Sequence, residues 1–173
     1  IKKIESFLNS NGRRLIGWDE IQEGGLAPNA AMMVWRSWQY GIDAANKGHD
    51  IVMSPTSHSY FDYYQGDSEN EPEAIGGYLP LKKVYSFEPV PEELKGEQAN
   101  RVLGAQGNLW TEYIYNWDKL MYMAFPRTAA MAEVVWTLPE RKDYDDFLKR
   151  WQKGLRKLDG MGVKYRELSE DDF

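Results

Sequence analysis

Four short apolar segments, each followed by turn residues or a helical pattern, constrain the fold of this chain more than any other feature. They are residues 14–18, 32–35, 50–54 and 102–105. Helices or long loops separate them, which is typical of parallel β/α units because parallel strands need long crossover connections. The sequence therefore predicts the α/β class, with four parallel strands and flanking helices.

Residues with reactive or ligand-binding side chains follow the ends of all four segments. In a (β/α)₈ barrel, the carboxyl ends of the strands form the rim on which the active site is built. A complete barrel typically needs about 250 residues, whereas this chain has 173. The pattern predicts half of a TIM-type (β/α)₈ barrel. Because the chain opens on Ile1 inside a helical pattern, we expect it to be a piece of a longer protein.

Residues 1–173 are interpreted as one partial domain that closes with an amphipathic helix. Between residues 65 and 98 lies a long stretch rich in Gly, Pro and Glu, and such a stretch in a compact domain is more often functional than structural. On the helix predicted after Pro126, Arg127 and Glu133 are interpreted as a structural ion pair. The remaining helices are predicted from residue 1 to a stop at Asn11-Gly12, and over residues 40–47, 81–87, 118–125 and 143–161.

Tyr60 and Trp110 are each followed two positions later by a carboxylate, Asp62 and Glu112 respectively. Side chains at positions i and i+2 of an extended segment lie on the same side, so each pair is predicted to present a flat apolar face beside a hydrogen-bond acceptor. The C–H face of a pyranose suits an aromatic ring, and its hydroxyls can donate to a carboxylate. The two pairs indicate a carbohydrate ligand. Taken singly, each residue also fits a half-buried loop Tyr, a core Trp or a solvated acid.

The charge and the rare residue types exclude several classes of function. The net charge of −6 argues against a nucleic-acid partner and against anionic membrane surfaces. The absence of Cys excludes disulfides, a thiolate nucleophile and a thiolate metal site. His49 and His58 lie in turns without further ligands at metal-binding spacing. We therefore predict no metal and no cofactor.

The adjacent acids Asp19 and Glu20 suggest a paired-carboxylate site at first sight. Neighbouring side chains on an extended strand point to opposite faces, so the two cannot converge on one bond. We interpret them as structural groups that bind loop amides or a nearby Arg. Trp18 and Trp35 each fit the core, but their shared position at strand ends favours pocket walls.

Several motifs occur in a fixed order along the chain and together resemble a known family. From about Arg13 to Trp136, the chain resembles the second half of the catalytic barrel of glycoside hydrolase family 20, the β-N-acetylhexosaminidases, with barrel strands 5 to 8. The irregular connection over residues 21–31 is also similar to the family. The motifs are Gly17-Trp18-Asp19-Glu20, Val34-Trp35, Ser54-Pro55 through Tyr60-Phe61-Asp62, Gly107-Asn108-Leu109-Trp110-Thr111-Glu112 and Pro126-Arg127-Thr128-Ala129-Ala130.

The resemblance implies a retaining, substrate-assisted hydrolase, one of the exceptions to the two-carboxylate scheme. The nucleophile would be the substrate's own 2-acetamido oxygen, which closes onto the anomeric carbon as an oxazolinium. Tyr60 would be the catalytic residue, donating a hydrogen bond to that oxygen. Three tryptophans would wall the acetamido pocket, and two acids would bind the outer hydroxyls O4 and O6. These substrate-binding residues are Trp18, Trp35 and Trp110 for the pocket, and Asp62 and Glu112 for the hydroxyls.

Two parts of the family's machinery have no counterpart in the sequence. The Asp-Glu pair that orients the acetamido group and protonates the leaving oxygen belongs to the fourth barrel strand, and the sugar-binding Arg belongs to the first. Asp19-Glu20 is not that pair, because it follows Trp18 in the motif of the fifth strand. We therefore expect the segment alone to be inactive.

The expected partners are glycosides of N-acetylglucosamine or N-acetylgalactosamine. We also expect association with the missing N-terminal half barrel, or self-association through exposed sheet edges. The family resemblance suggests a periplasmic or extracellular location. Two alternatives stay open: a non-catalytic carbohydrate-binding module, and a structural half-domain whose aromatic residues are core.

Overall fold

The computed structural model describes all residues from 1 to 173, and the chain divides into two compact units. Unit 1 holds residues 1–56 and 89–106, and unit 2 holds residues 57–88 and 107–173. None of the helices has the length and apolar character needed to cross a membrane.

Unit 1 is a parallel four-stranded sheet with flanking helices. The strand order is the chain order, and every neighbouring pair is parallel. The strands agree within two residues with the four predicted apolar segments, so this prediction is confirmed. The elements are α1 (Lys2–Ser10), β1 (Ile16–Trp18), β2 (Ala31–Val34), α2 (Trp38–Asn46), β3 (Ile51–Met53) and β4 (Val102–Ala105), with 3₁₀ turns at Asp19–Gln22 and Ala99–Arg101.

The core of unit 1 lies on the two central strands. Met32 and Val34 of β2, and Ile51 and Met53 of β3, are completely buried. Helix α2 packs on these strands through Gly41, where a Cβ atom would lie 3.1 Å from Val34 Cγ2 and 3.3 Å from Ile51 Cδ1. A glycine inside a helix costs stability, but here it lets the helix backbone approach the sheet.

The edges of the sheet and the first helix expose apolar side chains. Ile16 on β1 is 49% exposed, Leu103 on β4 is 60% exposed, and Phe7 on α1 is 66% exposed. Glu5 is the buried residue of α1, and its Oε1 accepts a hydrogen bond from the backbone N–H of Asn29 at 2.7 Å. The apolar face predicted for α1 thus lies on the surface of unit 1.

Unit 2 is mainly helical, and two of its helices begin at side-chain caps. The side-chain amide oxygen of Asn116 accepts from the backbone N–H of Lys119 at 2.9 Å, and the Asp143 carboxylate accepts from the backbone N–H of Asp146 at 2.9 Å. The cap at Asp143 is the one that the sequence predicts. The helices, of which the first leads into unit 2, are α3 (Thr56–Ser59), α4 (Leu81–Tyr85), α5 (Trp117–Ala124), α6 (Arg127–Trp136) and α7 (Tyr144–Gly160), with 3₁₀ turns at Pro139–Arg141 and Glu170–Asp172.

Candidate active site

Two of the predicted pocket tryptophans stand at the carboxyl ends of neighbouring strands in unit 1. Trp18 is the last residue of β1, and Trp35 directly follows β2. Both side chains are half-buried. The indole N–H of Trp35 donates to the Glu20 carboxylate, at 3.1 Å from Oε1 and 3.2 Å from Oε2. The sequence did not suggest this contact, which fixes the orientation of the Trp35 ring.

Asp19 holds the backbone at the same strand end. Its carboxylate is completely buried and accepts from the backbone N–H groups of Trp35 and Arg36 at 2.8 and 2.9 Å. It also forms an ion pair with the Arg36 guanidinium. All of these partners are groups of the chain itself, so the geometry supports the predicted structural role of this acid. Asp19 and Glu20 together hold the main chain and the side chain of Trp35.

In unit 2, the segments that carry Tyr60 and Trp110 run side by side. Tyr60 and Asn108 form a parallel bridge, in which the backbone N–H of Phe61 donates to the Asn108 carbonyl at 2.7 Å. The backbone N–H of Asn108 donates in turn to the Ser59 carbonyl at 2.6 Å. Gly107 is needed here, because a Cβ atom at this position would lie 2.5 Å from the Phe61 ring.

The expected extended geometry at Tyr60 to Asp62 is wrong. The chain turns after Tyr60, whose carbonyl accepts from the backbone N–H of Tyr63 at 3.2 Å. Alternation along a strand therefore does not bring Tyr60 and Asp62 to one side. The bridge to Asn108 ends after one residue pair, and the turn begins at the next residue.

Asp62 is a buried carboxylate with an unusual environment. It is 5% exposed, and its Oδ1 has no hydrogen-bond partner in the structure. Burial raises the pKa of the Asp62 carboxyl to about 6, and the negative charge of Glu112 adds to this, whereas the positive charge of Arg127 opposes it. Glu112, the other acid that the family resemblance assigns to sugar hydroxyls, therefore lies close enough for its charge to act on Asp62.

Arg127 fixes the turn that carries Asp62. It is completely buried, and its guanidinium donates to the carbonyls of Phe61, Tyr63, Leu79 and Met123. Burial lowers the pKa of Arg127, and this effect is opposed by the negative charges of nearby acids. Sequence reasoning missed this role, since main-chain acceptors leave no pattern of side chains.

The predicted ion pair between Arg127 and Glu133 is wrong. The Glu133 carboxylate accepts instead from the Tyr85 hydroxyl at 2.8 Å and forms an ion pair with Arg150 at 2.7 Å. Arg127 is the first residue of α6, and its side chain is directed into the core of unit 2.

Trp110 borders a narrow crevice in unit 2. The indole is 42% exposed, which is high for a Trp that serves only as core. Asp62, Glu73, Ala74 and Ile75 line the crevice with it. Glu112 is exposed on the turn that follows. Unit 2 thus brings Asp62 and Trp110 to one surface feature.

His58 is a packing residue of unit 2. Its ring stacks on Phe87 with the centroids 5.1 Å apart, and its Nδ1 lies 2.8 Å from the Ser57 hydroxyl. Burial, with a smaller effect from Lys83, lowers the pKa of His58 to about 4, so the ring is neutral at pH 7. No group of three or more His, Asp or Glu residues in the structure is arranged to hold a metal ion.

Comparisons with known proteins identify relatives of the chain. Residues 1–139 match the sequence profile described as glycosyl hydrolase family 20, catalytic domain. The chain is 50% identical over 166 residues to a β-hexosaminidase of Porphyromonas gingivalis, covering 95% of this chain and 21% of that protein. It is 31% identical to a β-N-acetylhexosaminidase of Cellulomonas fimi, covering 92% of this chain and 33% of that protein.

A solved structure shows the same fold. The crystal structure of a GH20 exo-β-N-acetylglucosaminidase from Vibrio harveyi, in complex with N-acetylglucosamine, matches 96% of this chain and 26% of that one. The TM-score is 0.86, and the sequence identity is 35%. The predicted half of a TIM-type barrel is thereby confirmed. The chain spans about a fifth to a third of the length of these relatives. By its sequence and its fold, this chain belongs to glycosyl hydrolase family 20.

Proposed function

We propose that this chain is part of a longer glycosidase, which removes terminal β-linked N-acetylhexosamine from glycosides. Membership of the family and the β-hexosaminidase names of its relatives support this proposal. The ligand would be a glycoside of N-acetylglucosamine or N-acetylgalactosamine. The part described here would supply walls and hydrogen-bonding groups of the sugar site.

The environment of Asp62 is the observation that best supports a sugar ligand. A buried carboxylate oxygen without a partner is costly, because it has lost water and gained no donor. Asp62 has such an oxygen beside the exposed Trp110 ring, on the crevice that both residues line. A sugar hydroxyl that reached this oxygen would supply the missing donor, while a C–H face of the same sugar would contact the exposed indole.

The proposed reaction is substrate-assisted, with retention of configuration. The acetamido oxygen attacks C1 and the bond from C1 to the leaving oxygen breaks, while an acid protonates that oxygen. Water then opens the oxazolinium at C1. Tyr60 would donate to the acetamido oxygen, and Trp18, Trp35 and Trp110 would contact the acetamido group. Asp62 and Glu112 would accept hydrogen bonds from O4 and O6.

We also propose that the Asp-Glu acid pair is supplied from outside these 173 residues. Within them the sequence Asp-Glu occurs at Asp19-Glu20, where Asp19 binds backbone amides and Glu20 binds the Trp35 indole. On this proposal the isolated chain does not hydrolyse an aryl N-acetylglucosaminide, because both general acid catalysis and orientation of the internal nucleophile are missing.

Two substrates distinguish this proposal from its alternatives. We expect the whole protein to cleave an aryl β-N-acetylglucosaminide and to leave the matched aryl β-glucoside intact. NMR of the first-formed sugar should show that the configuration at C1 is retained. The glucoside is the control, because it differs only in the acetamido group that acts as nucleophile. Equal cleavage of both substrates, or inversion at C1, would contradict the mechanism. Binding of N-acetylglucosamine without cleavage would favour a carbohydrate-binding module.

A further inference from the structure

A loop of unit 2 forms one side of the crevice at Asp62 and Trp110. We call residues 66–75 the wall loop, because Glu73, Ala74 and Ile75 at its end line that crevice. Besides its covalent ends, the loop is attached to α5, where the Lys119 ammonium donates to the Glu73 carbonyl at 2.8 Å. The position of the wall loop therefore sets the width of the crevice.

A buried ion pair attaches the middle of the wall loop to the end of the chain. Glu71 Oε1 accepts from Arg166 Nε at 3.0 Å, and its Oε2 accepts from the Tyr122 hydroxyl at 2.8 Å. Both partners of the ion pair expose only 7% of their side chains. At Gly66, a Cβ atom would lie 2.8 Å from Glu71 Oε1, so the loop backbone itself packs against this pair.

The other side of Arg166 is held equally firmly. Its Nη1 donates to Asp172 at 2.7 Å, and its Nη2 donates to the Ser169 hydroxyl at 3.0 Å. Ser169 and Asp172 form a capping box, in which the backbone N–H of Ser169 donates to Asp172 Oδ2 at 2.8 Å. Arg166 is thus fixed between an acid of the wall loop and an acid of the last 3₁₀ turn.

Buried ion pairs contribute little to the stability of the folded state, because desolvation of both charges offsets their attraction. Their distinguishing effect is geometric, since a planar guanidinium binds carboxylates in fixed directions. Arg166 and Asp172 also lie beyond residues 1–139, which match the family's catalytic domain.

We propose that Arg166 is a positioning residue for the sugar site, holding the wall loop through Glu71 so that Ala74 and Ile75 stay in place in the crevice that Trp110 also lines. The ligand in this inference rests on the proposed function, but the positioning of the loop does not. Asp172 and Ser169 hold the guanidinium in the orientation that Glu71 requires. Residues 166–172 then help to hold the sugar site in place.

The test compares three variants of the whole protein with a matched control. Arg166→Met removes the ion pair with Glu71, and Arg166→Lys keeps the positive charge but lacks the planar guanidinium. Glu71→Gln keeps an acceptor for the Tyr122 hydroxyl but cannot form the ion pair. Arg150→Met is the control, because it breaks the 2.7 Å ion pair with Glu133 in the same unit without touching the wall loop.

Arg166→Met is expected to raise KM for an aryl N-acetylglucosaminide by roughly tenfold or more, with kcat nearly unchanged. Arg166→Lys and Glu71→Gln are expected to raise KM less than Arg166→Met does. The control, Arg150→Met, is expected to leave KM unchanged. A purely structural role would lower the folded fraction, and hence kcat, without changing KM. Unchanged KM in soluble Glu71→Gln and Arg166→Lys proteins would therefore overturn the inference, even if Arg166→Met fails to fold.

Amide hydrogen exchange supplies a readout that does not depend on activity. We expect faster exchange across residues 66–75 in the Arg166 and Glu71 variants, and no change there in Arg150→Met. Wild-type exchange rates in this loop would contradict the inference for any substrate. If the whole protein cleaves no N-acetylhexosaminide but the loop exchanges faster, the proposed function fails and the positioning role stands.

Discussion

Burial of Asp62 raises the pKa of its carboxyl to about 6, so the group changes charge within a mildly acidic range. Between the ordinary value of 3.8 and this raised value, the folded protein binds more protons than the unfolded chain. Stability that depends on Asp62 is therefore greatest at low pH and falls as the pH rises through this window. The raised pKa implies that the charged form of Asp62 is destabilised in the protein without ligand.

Asp62→Asn is expected to stabilise the unliganded protein above pH 6, because Asn carries no charge that needs solvation. The gain corresponds to a pKa shift of about two units, on the order of 3 kcal/mol at neutral pH. It should shrink as the pH falls towards 4, where the wild-type carboxyl is itself neutral. Thermal unfolding of both proteins between pH 4 and 7 measures this difference. A difference that does not vary with pH would contradict the raised pKa.

The same substitution is expected to weaken sugar binding, since an amide is a poorer acceptor for two hydroxyls than a carboxylate. For the wild type, KM is expected to rise as the pH falls below about 6, where Asp62 becomes protonated. The KM of Asp62→Asn should lack this pH dependence. A parallel pH profile in both proteins would assign the titration to another group.

Tyr60→Phe tests the proposed catalytic hydroxyl. Charge on the acetamido group develops as the oxazolinium forms, so the hydroxyl would act mainly in the transition state. Removing one such donor typically costs roughly 10²–10³ in kcat, and we expect little change in KM. Tyr64→Phe, on the same turn region, is the control and should retain activity. If Tyr60→Phe has the wild-type kcat, the role given to Tyr60 is wrong.

Helix α6 stabilises the site through one side chain at its first residue. The Arg127 guanidinium binds carbonyls from the turn after Tyr60, from the segment before α4 and from α5. It also lies over the Phe61 ring, with Cζ 5.2 Å from the ring centroid. A single residue thus ties three separate pieces of unit 2 together.

Arg127→Lys is expected to destabilise the protein severely, although it keeps the charge. A lysine ammonium cannot reach all of the carbonyls that the planar fork binds, and each buried carbonyl left without a donor costs roughly 1–3 kcal/mol. Arg156→Lys on the exposed surface of α7 is the control and should unfold like the wild type. Chemical denaturation of the three proteins gives the comparison. A loss below about 1 kcal/mol would contradict the role of Arg127.

The elements that local sequence specifies were predictable, and contacts between distant segments were not. The strands are marked by runs such as Ile51–Met53, and α7 by its cap at Asp143, because both signals lie within a few residues. The turn after Tyr60 depends on the bridge to Asn108, which is remote in sequence. The partners of Arg127 are carbonyls, which any residue provides.

The candidate site was predictable to the same degree. Aromatic and acidic residues after strands indicated a sugar ligand, and Asp62 and Trp110 do line one crevice. Their supporting residues left no such signal, since Glu20 and Arg127 act on backbone or on a neighbouring ring. Asp19 is the exception, because its structural role was predicted, although it lies on the 3₁₀ turn Asp19–Gln22 and not on an extended strand.

Exposed apolar side chains set how the chain behaves by itself. The edge strands expose Ile16 and Leu103, and α1 exposes Ile4 and Phe7. Unpaired, apolar strand edges are templates for association. These surfaces fit a protein whose barrel is completed by other residues, as we propose for the longer glycosidase.

The isolated chain is expected to self-associate, or to pair with an added N-terminal half barrel. Sedimentation at low micromolar concentration measures this. An Ile16→Lys and Leu103→Lys double variant should associate less, because a charged edge strand disfavours pairing. Lys153→Glu is a control that changes the charge of an exposed residue of α7 instead of an edge strand. A monodisperse, well-folded wild-type monomer would contradict the prediction.

The hydrogen bond between the Trp35 indole and the Glu20 carboxylate affects the conformational entropy lost on ligand binding. A mobile aromatic side chain loses rotamer freedom when a ligand immobilises it, at a cost of roughly 0.5–1.5 kcal/mol. In Trp35 both the backbone N–H and the ring N–H already have acceptors, so this freedom is lost when the chain folds. Sugar binding at Trp35 would then order little that was not ordered before.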